Sequence, residues 1–253
     1  MNAPEKPNLY EQRYGKRGAP PEIEFLRRYA RSYDDARQRL LATVYTTGEP
    51  ALAVRHRELI AAAIIAVRGF PSVEHHLRRA LQEGSSVAEV VEAMTVAALT
   101  GGFRTLVFAL GYVAKLVEEL GLDAGDPDGP GAQAGPGAEL DAALGFSSPE
   151  FDWLARHSPA FEAARRDLVA HVFAPTSGAA LSVKHRELIA AAVLASRGMP
   201  AVEQHLRRAL REGATLAEVI EALQVAGVPG GLPTLEYALG HLMRIVDENG
   251  AGA

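Results

Sequence analysis

The sequence predicts an all-α fold made of two tandem copies of one helical domain, and three features carry that expectation. The stretch "LAVRHRELIAAAIIAVRGFPSVEHHLRRALQEG" at 52–84 returns as "LSVKHRELIAAAVLASRGMPAVEQHLRRALREG" at 181–213, gapless and with roughly three-quarters of its positions identical. Apolar residues recur in both copies at helical spacing. Ser, Thr and Gly stand where such helices start and stop.

The repeat extends upstream, since "PEIEFLRRYARSYDDARQRLLATVY" at 21–45 matches "PEFDWLARHSPAFEAARRDLVAHVF" at 149–173. Each unit is therefore about 100 residues, an ordinary domain size. The expected organisation is an N-terminal arm at 1–19, a first domain at 20–120, a linker at 121–148 rich in Gly, Pro and Ala, and a second domain at 149–253.

In each copy the segment "HRELIAAAIIAVRG" or "HRELIAAAVLASRG" is apolar on every side after its first turn, which predicts a helix buried at the domain centre. Glu58 and Glu187 fall near its start and Gly69 and Gly198 at its end. Each glutamate reads either as a carboxylate favoured by the helix N-terminus or as a buried acid or base with a tunable pKa.

The next helix, "VEHHLRRALQ" in the first copy, starts after Ser72 as a candidate cap and stops at Gly84. Val73, His76, Leu77, Ala80 and Leu81 lie at i, i+3, i+4, i+7 and i+8, so His76 sits on the apolar stripe. His205 does the same in the second copy, whereas the neighbouring His75 has become Gln204. An inward imidazole is either a packing residue with a satisfied hydrogen bond or a proton-transfer group. Glu74 and Glu203 lie on another face and are expected to pair with Arg78 and Arg207 at i,i+4. The doubled arginines Arg78, Arg79, Arg207 and Arg208 read as a solvated face, from which one could reach an anionic ligand in an oligomer.

Ser86 with Glu89, and Thr215 with Glu218, have capping-box spacing for the following helix. The glycine pairs Gly101–Gly102 and Gly230–Gly231 then predict a turn before a last helix beginning at about Arg104 or Pro233.

Composition narrows the function. The chain is 48% hydrophobic, 23% charged and carries a net charge of -5, which disfavours non-specific nucleic-acid binding. Cysteine is absent, so disulfides, thiolate nucleophiles and thiol redox cycling are excluded. The start lacks the apolar core of a secretory signal and no apolar run is long enough to span a bilayer, so a cytoplasmic protein without membrane partners is expected. The histidine and carboxylate spacing offers no metal site.

At "EQHLRRALREGATLAEVIEALQVAGVPGGLP" the chain resembles the carboxymuconolactone decarboxylase family, whose pattern runs H-L-x-x-A-L-x-x-G-x-T-x-x-E-[IVL]-x-E-x-L and then a Gly-Pro turn. In the first copy Ser86 replaces the Thr and Arg104 the Pro. The resemblance covers most of both repeats and implies an alkylhydroperoxidase D-like helical fold, with small subunits in trimers or hexamers. Its peroxidase branch uses C-x-x-C; here those positions fall near Gly69 and Ser72, and near Gly198 and Ala201, so that chemistry is lost. Its lyase branch decarboxylates a lactone of a dicarboxylic acid without a cofactor.

The resemblance therefore implies a cofactor-independent lyase or isomerase acting on a small carboxylated lactone or enolisable acid. His76 and His205 are the expected proton-transfer groups and Glu58 and Glu187 their partners. Arg57 and Arg186 are candidate carboxylate clamps or, equally, partners in an intersubunit ion pair; Arg104, His75 and Tyr237, which distinguish the copies, and Glu74 and Glu203 are further candidates for substrate binding. No metal and no cofactor are expected, the partners being a small-molecule substrate and further copies of the chain, as a trimer of tandem chains. The alternative is a non-catalytic binding or structural protein that kept the fold after losing the cysteines.

Overall fold

The computed structural model describes residues 21–45, 50–123, 149–175 and 178–250. The expected arm at 1–19 lies outside the described residues, as does the expected linker apart from 121–123. Twelve helices and no strands occur among the described residues. The chain divides into two units after Pro50.

The first unit holds α1 (Pro21–Tyr29) and α2 (Arg31–Tyr45). Asp34 is buried, and its carboxylate accepts hydrogen bonds from Arg27 Nε at 3.0 Å and from Arg37 at 2.6 and 3.0 Å. Burial pushes the Asp34 carboxyl up, but these guanidinium bonds outweigh it and hold the group below its ordinary range.

The second unit runs through α3 (Val54–Val67), α4 (Val73–Gln82), α5 (Val87–Gly101), α6 (Phe103–Leu120), α7 (Pro149–His157), α8 (Pro159–Phe173), α9 (Val183–Ser196), α10 (Val202–Arg211), α11 (Leu216–Gly230) and α12 (Leu232–Gly250). Helices α3 and α9 are its centre: every residue of α3 from Arg57 to Ala66 is buried, as is every residue of α9 from Arg186 to Ala195. This is the result expected of helices apolar on all faces. Both stop at a left-handed glycine, Gly69 with φ +68° and Gly198 with φ +64°. The main chain then doubles back, Phe70 N–H bonding to Ile65 O and Met199 N–H to Leu194 O.

On α4 the predicted stripe of Val73, His76, Leu77, Ala80 and Leu81 is buried in full. Ser72 differs from expectation: its backbone is already helical and its side chain makes no capping bond, so the turn is closed by main-chain bonds instead. Both capping boxes form, Ser86 Oγ accepting from Glu89 N–H and Thr215 Oγ1 from Glu218 N–H, each at 3.1 Å.

The two repeats exchange contacts reciprocally. The Glu221 carboxylate on α11 accepts the Ala51 and Leu52 N–H groups just before α3, both at 2.8 Å. The Glu92 carboxylate on α5 accepts those of Ala180 and Leu181 before α9, at 2.7 and 2.8 Å. Arg68 donates to the Pro229 carbonyl and Arg197 to the Thr100 carbonyl. Where α3 meets α9, the rings of His56 and His185 stack with centroids 3.7 Å apart. The duplication is thus a mutually capped pair of halves.

Candidate active site

Each repeat builds the same buried triplet from its α3–α4 or α9–α10 hairpin. His76 Nδ1 lies 2.6 Å from Glu58 Oε2, and Arg79 Nε lies 3.3 Å from the other oxygen, Oε1. In the second repeat His205 Nδ1 is 2.7 Å from Glu187 Oε2 and Arg208 Nε is 3.2 Å from Oε1. Both glutamates have no exposed surface, and the histidines keep 8% and 4% of theirs.

Glu58 and Glu187 stand on the second turn of their helices, not at the very start, and each projects onto the apolar stripe of the next helix. An imidazole whose Nδ1–H donates to a carboxylate is fixed in one tautomer, leaving Nε2 as the atom able to take or give a proton. The guanidinium beside Oε1 offsets the carboxylate charge in a place where an isolated ion would be costly.

Arg79 and Arg208 correct the expectation of a solvated face for all four doubled arginines. Arg208 is 3% exposed, Arg79 is half-buried, and both turn inward. A signal for this exists in the sequence: each lies three residues after its histidine, on the same helical face. Burial pulls Arg208 and Arg186 below the usual guanidinium range, although a guanidinium stays charged.

The expected carboxylate clamps are also buried, Arg57 at 2% and Arg186 at 3% exposure. Arg186 donates to the main-chain oxygens of Val172 at 2.8 Å and Ala174 at 3.1 Å, while Arg208 donates to Phe173 O at 3.0 Å. These two arginines satisfy carbonyls at the C-terminus of α8 and hold Phe173 near the dyad, its ring 5.3 Å from that of His205.

Glu74 and Glu203 make the predicted i,i+4 pairs with Arg78 at 3.1 Å and Arg207 at 2.7 Å. Each also reaches the last helix of its repeat, Glu74 to Lys115 at 3.2 Å and Glu203 to His241 at 3.0 Å and Arg244 at 3.2 Å. Arg207, then His241, hold Glu203 down to about 2. Tyr237 packs edge-on against His241 at 4.8 Å, placing it with Glu203, and His75 packs edge-on against His76 at 5.2 Å.

Arg104 stands apart, in an open cleft of about 770 Å³ between the C-terminal end of α3 and the start of α6. Neither Glu58 nor His76 lines this cleft. The structure thus joins His75, His76, Glu58 and Arg79 in one repeat and His205, Glu187 and Arg208 in the other, with Arg104 elsewhere. Among the described residues no cluster of three or more metal-ligating side chains occurs, and no helix is long and apolar enough to cross a membrane.

The chain belongs to the carboxymuconolactone decarboxylase family, whose sequence profile matches residues 31–115 and 159–242, one match in each repeat. Among solved structures it is similar to a protein of Burkholderia xenovorans LB400 provisionally named a gamma-carboxymuconolactone decarboxylase subunit. The TM-score is 0.60 at 24% sequence identity, over 96% of this chain and 95% of the other, so the two share a fold. No curated protein matches the chain.

Proposed function

We propose that the chain is a cofactor-independent, decarboxylase-like lyase or isomerase acting on a small carboxylated lactone or enolisable organic acid. The observation that carries this reading is the Glu–His–Arg triplet, built twice with near-identical distances. In decarboxylation the bond from carbon to carboxylate breaks, its electron pair passes into a conjugated enolate, and carbon dioxide leaves. The carbanion equivalent then takes a proton from imidazolium Nε2, and the Nδ1–carboxylate bond stabilises the cation before that transfer. Isomerisation uses the same groups, with proton removal and return in place of the loss of carbon dioxide. Support for self-association comes from exposed apolar side chains on the last helix of the second repeat, Leu232, Met243 and Val246, which a trimer of tandem chains would cover.

One observation favours the second reading, a binding protein without turnover: both imidazoles are nearly enclosed and the open cleft lies elsewhere. The deciding experiment is a mass-spectrometric screen of carboxylated lactones for loss of carbon dioxide. Turnover that disappears in a His76→Gln, His205→Gln double variant supports the lyase; tight binding without turnover across the screen supports the rival.

A further inference from the structure

The two repeats diverge most pointedly at the start of their last helices. In the first, Phe103, Arg104, Thr105, Val107 and Phe108 line the cleft of about 770 Å³, facing Val67 and Arg68 at the end of α3. The corresponding residues of the second repeat are Leu232, Pro233, Thr234, Glu236 and Tyr237. The duplication thus carries a cation where its twin has proline, and an apolar residue where its twin has a carboxylate.

Three details show that the first version is not made for helix stability. A cation in the first turn opposes the helix dipole, and proline is the residue such a position favours, so Arg104 is the worse choice for α6. Arg104 is exposed and has no carboxylate partner among the described residues. Thr234 Oγ1 donates to Gly230 O at 3.0 Å, whereas Thr105, only 5% exposed, makes no such bond among the described residues and lines the cleft. The floor is closed by Gly101, where any Cβ would collide with the Val67 side chain. A cleft of this size lined by apolar side chains and a few polar groups has the composition of a small-molecule site.

The geometry points to an organic-anion site in this cleft, one per chain, for a carboxylate attached to an apolar body. Arg104 takes the carboxylate, with Arg68 a second cation in the lining and the Thr105 hydroxyl as an orienting donor. Arg68 is itself positioned by its bond to the Pro229 carbonyl. Val67, Phe103, Val107 and Phe108 receive the apolar body. The site goes beyond the proton-transfer reading, because it shares no lining residue with the Glu58–His76 pair.

Calorimetric titration of the full chain with decanoate, with decanol as the uncharged control, tests the proposal. Decanoate is expected to bind once per chain and about tenfold or more tighter than decanol, with Arg104→Ala and Arg104→Pro each weakening it by about tenfold. Thr105→Val is expected to cost about threefold. Arg104→Pro installs the residue that the second repeat already folds with, so its loss of binding is not a folding defect. Absence of decanoate binding, as when a second copy of the chain fills the cleft, overturns the proposal. So do equal binding of decanol, unchanged affinity in both Arg104 variants, or two sites per chain. None of these outcomes bears on turnover by the histidine dyads.

Discussion

Lowering the pH from about 7.5 to about 5 is expected to loosen the seam between α3 and α9, because two neutral imidazoles stack there. Burial, reinforced by the Arg55 and Lys184 charges and partly opposed by Glu218, lowers His56 from 6.5 to about 4. Burial likewise lowers His185 to about 4, with His56 itself the next cause. Arg55 Nε donates to His56 Nε2 at 3.3 Å and Ser182 Oγ lies 2.9 Å from His185 Nδ1, contacts compatible with uncharged rings. The folded pKa is below the unfolded one, so the unfolded chain binds more protons in this range. The contribution is therefore complete above the unfolded value of 6.5 and is lost as the pH falls toward 4.

At about 1.4 kcal/mol per pH unit the full drop bounds each ring near 3 kcal/mol; pH 5 reaches about two-thirds of that, and partial solvent contact reduces it to about 1 kcal/mol per ring. The pair then accounts for about 2 kcal/mol, or a fall in Tm of about 4–8 °C for a unit of this size. Glu162 and Glu203, each held at about 2, titrate below this window. The assay is thermal unfolding by circular dichroism at both pH values, comparing wild type with a His56→Phe, His185→Phe variant that keeps two rings in the Leu59, Ile60, Leu188 and Ile189 surround. The wild type should lose about 4–8 °C more than the variant. An equal acid loss in both proteins would refute the reasoning.

Two further predictions concern the duplication. Glu92→Ala and Glu221→Ala each remove a carboxylate that holds two main-chain N–H groups of the other repeat, and each should cost about 1–3 kcal/mol in urea unfolding. The two losses should agree with each other, since the contacts are reciprocal. Thr215→Ala and Ser86→Ala each break a capping box and should cost about 0.5–2 kcal/mol by the same measurement, with the histidine dyads untouched.

The all-helical architecture is legible in the sequence because α3 and α9 are apolar all round, a pattern that only a buried helix satisfies. His76 and His205 are legible because a polar residue on an apolar stripe stands out twice at the same register. Their contact with Glu58 and Glu187 crosses a turn between two helices, a distance in space that periodicity does not encode. Arg79 and Arg208 are misplaced by a reading from charge alone, which points to solvent, when the helical face they share with the histidines is the better guide. The exchange through Glu92, Glu221, Arg68 and Arg197 links residues roughly 90–170 apart, which no local pattern reaches.

The central claim is proton transfer by an imidazole held on a buried carboxylate. Its most direct test is conversion of carboxylated lactones in deuterium oxide, followed by mass spectrometry of the product. The account predicts one deuterium placed on carbon for each carbon dioxide released, and at least about 100-fold slower conversion in the His76→Gln, His205→Gln double variant. Undiminished turnover in that variant would contradict it.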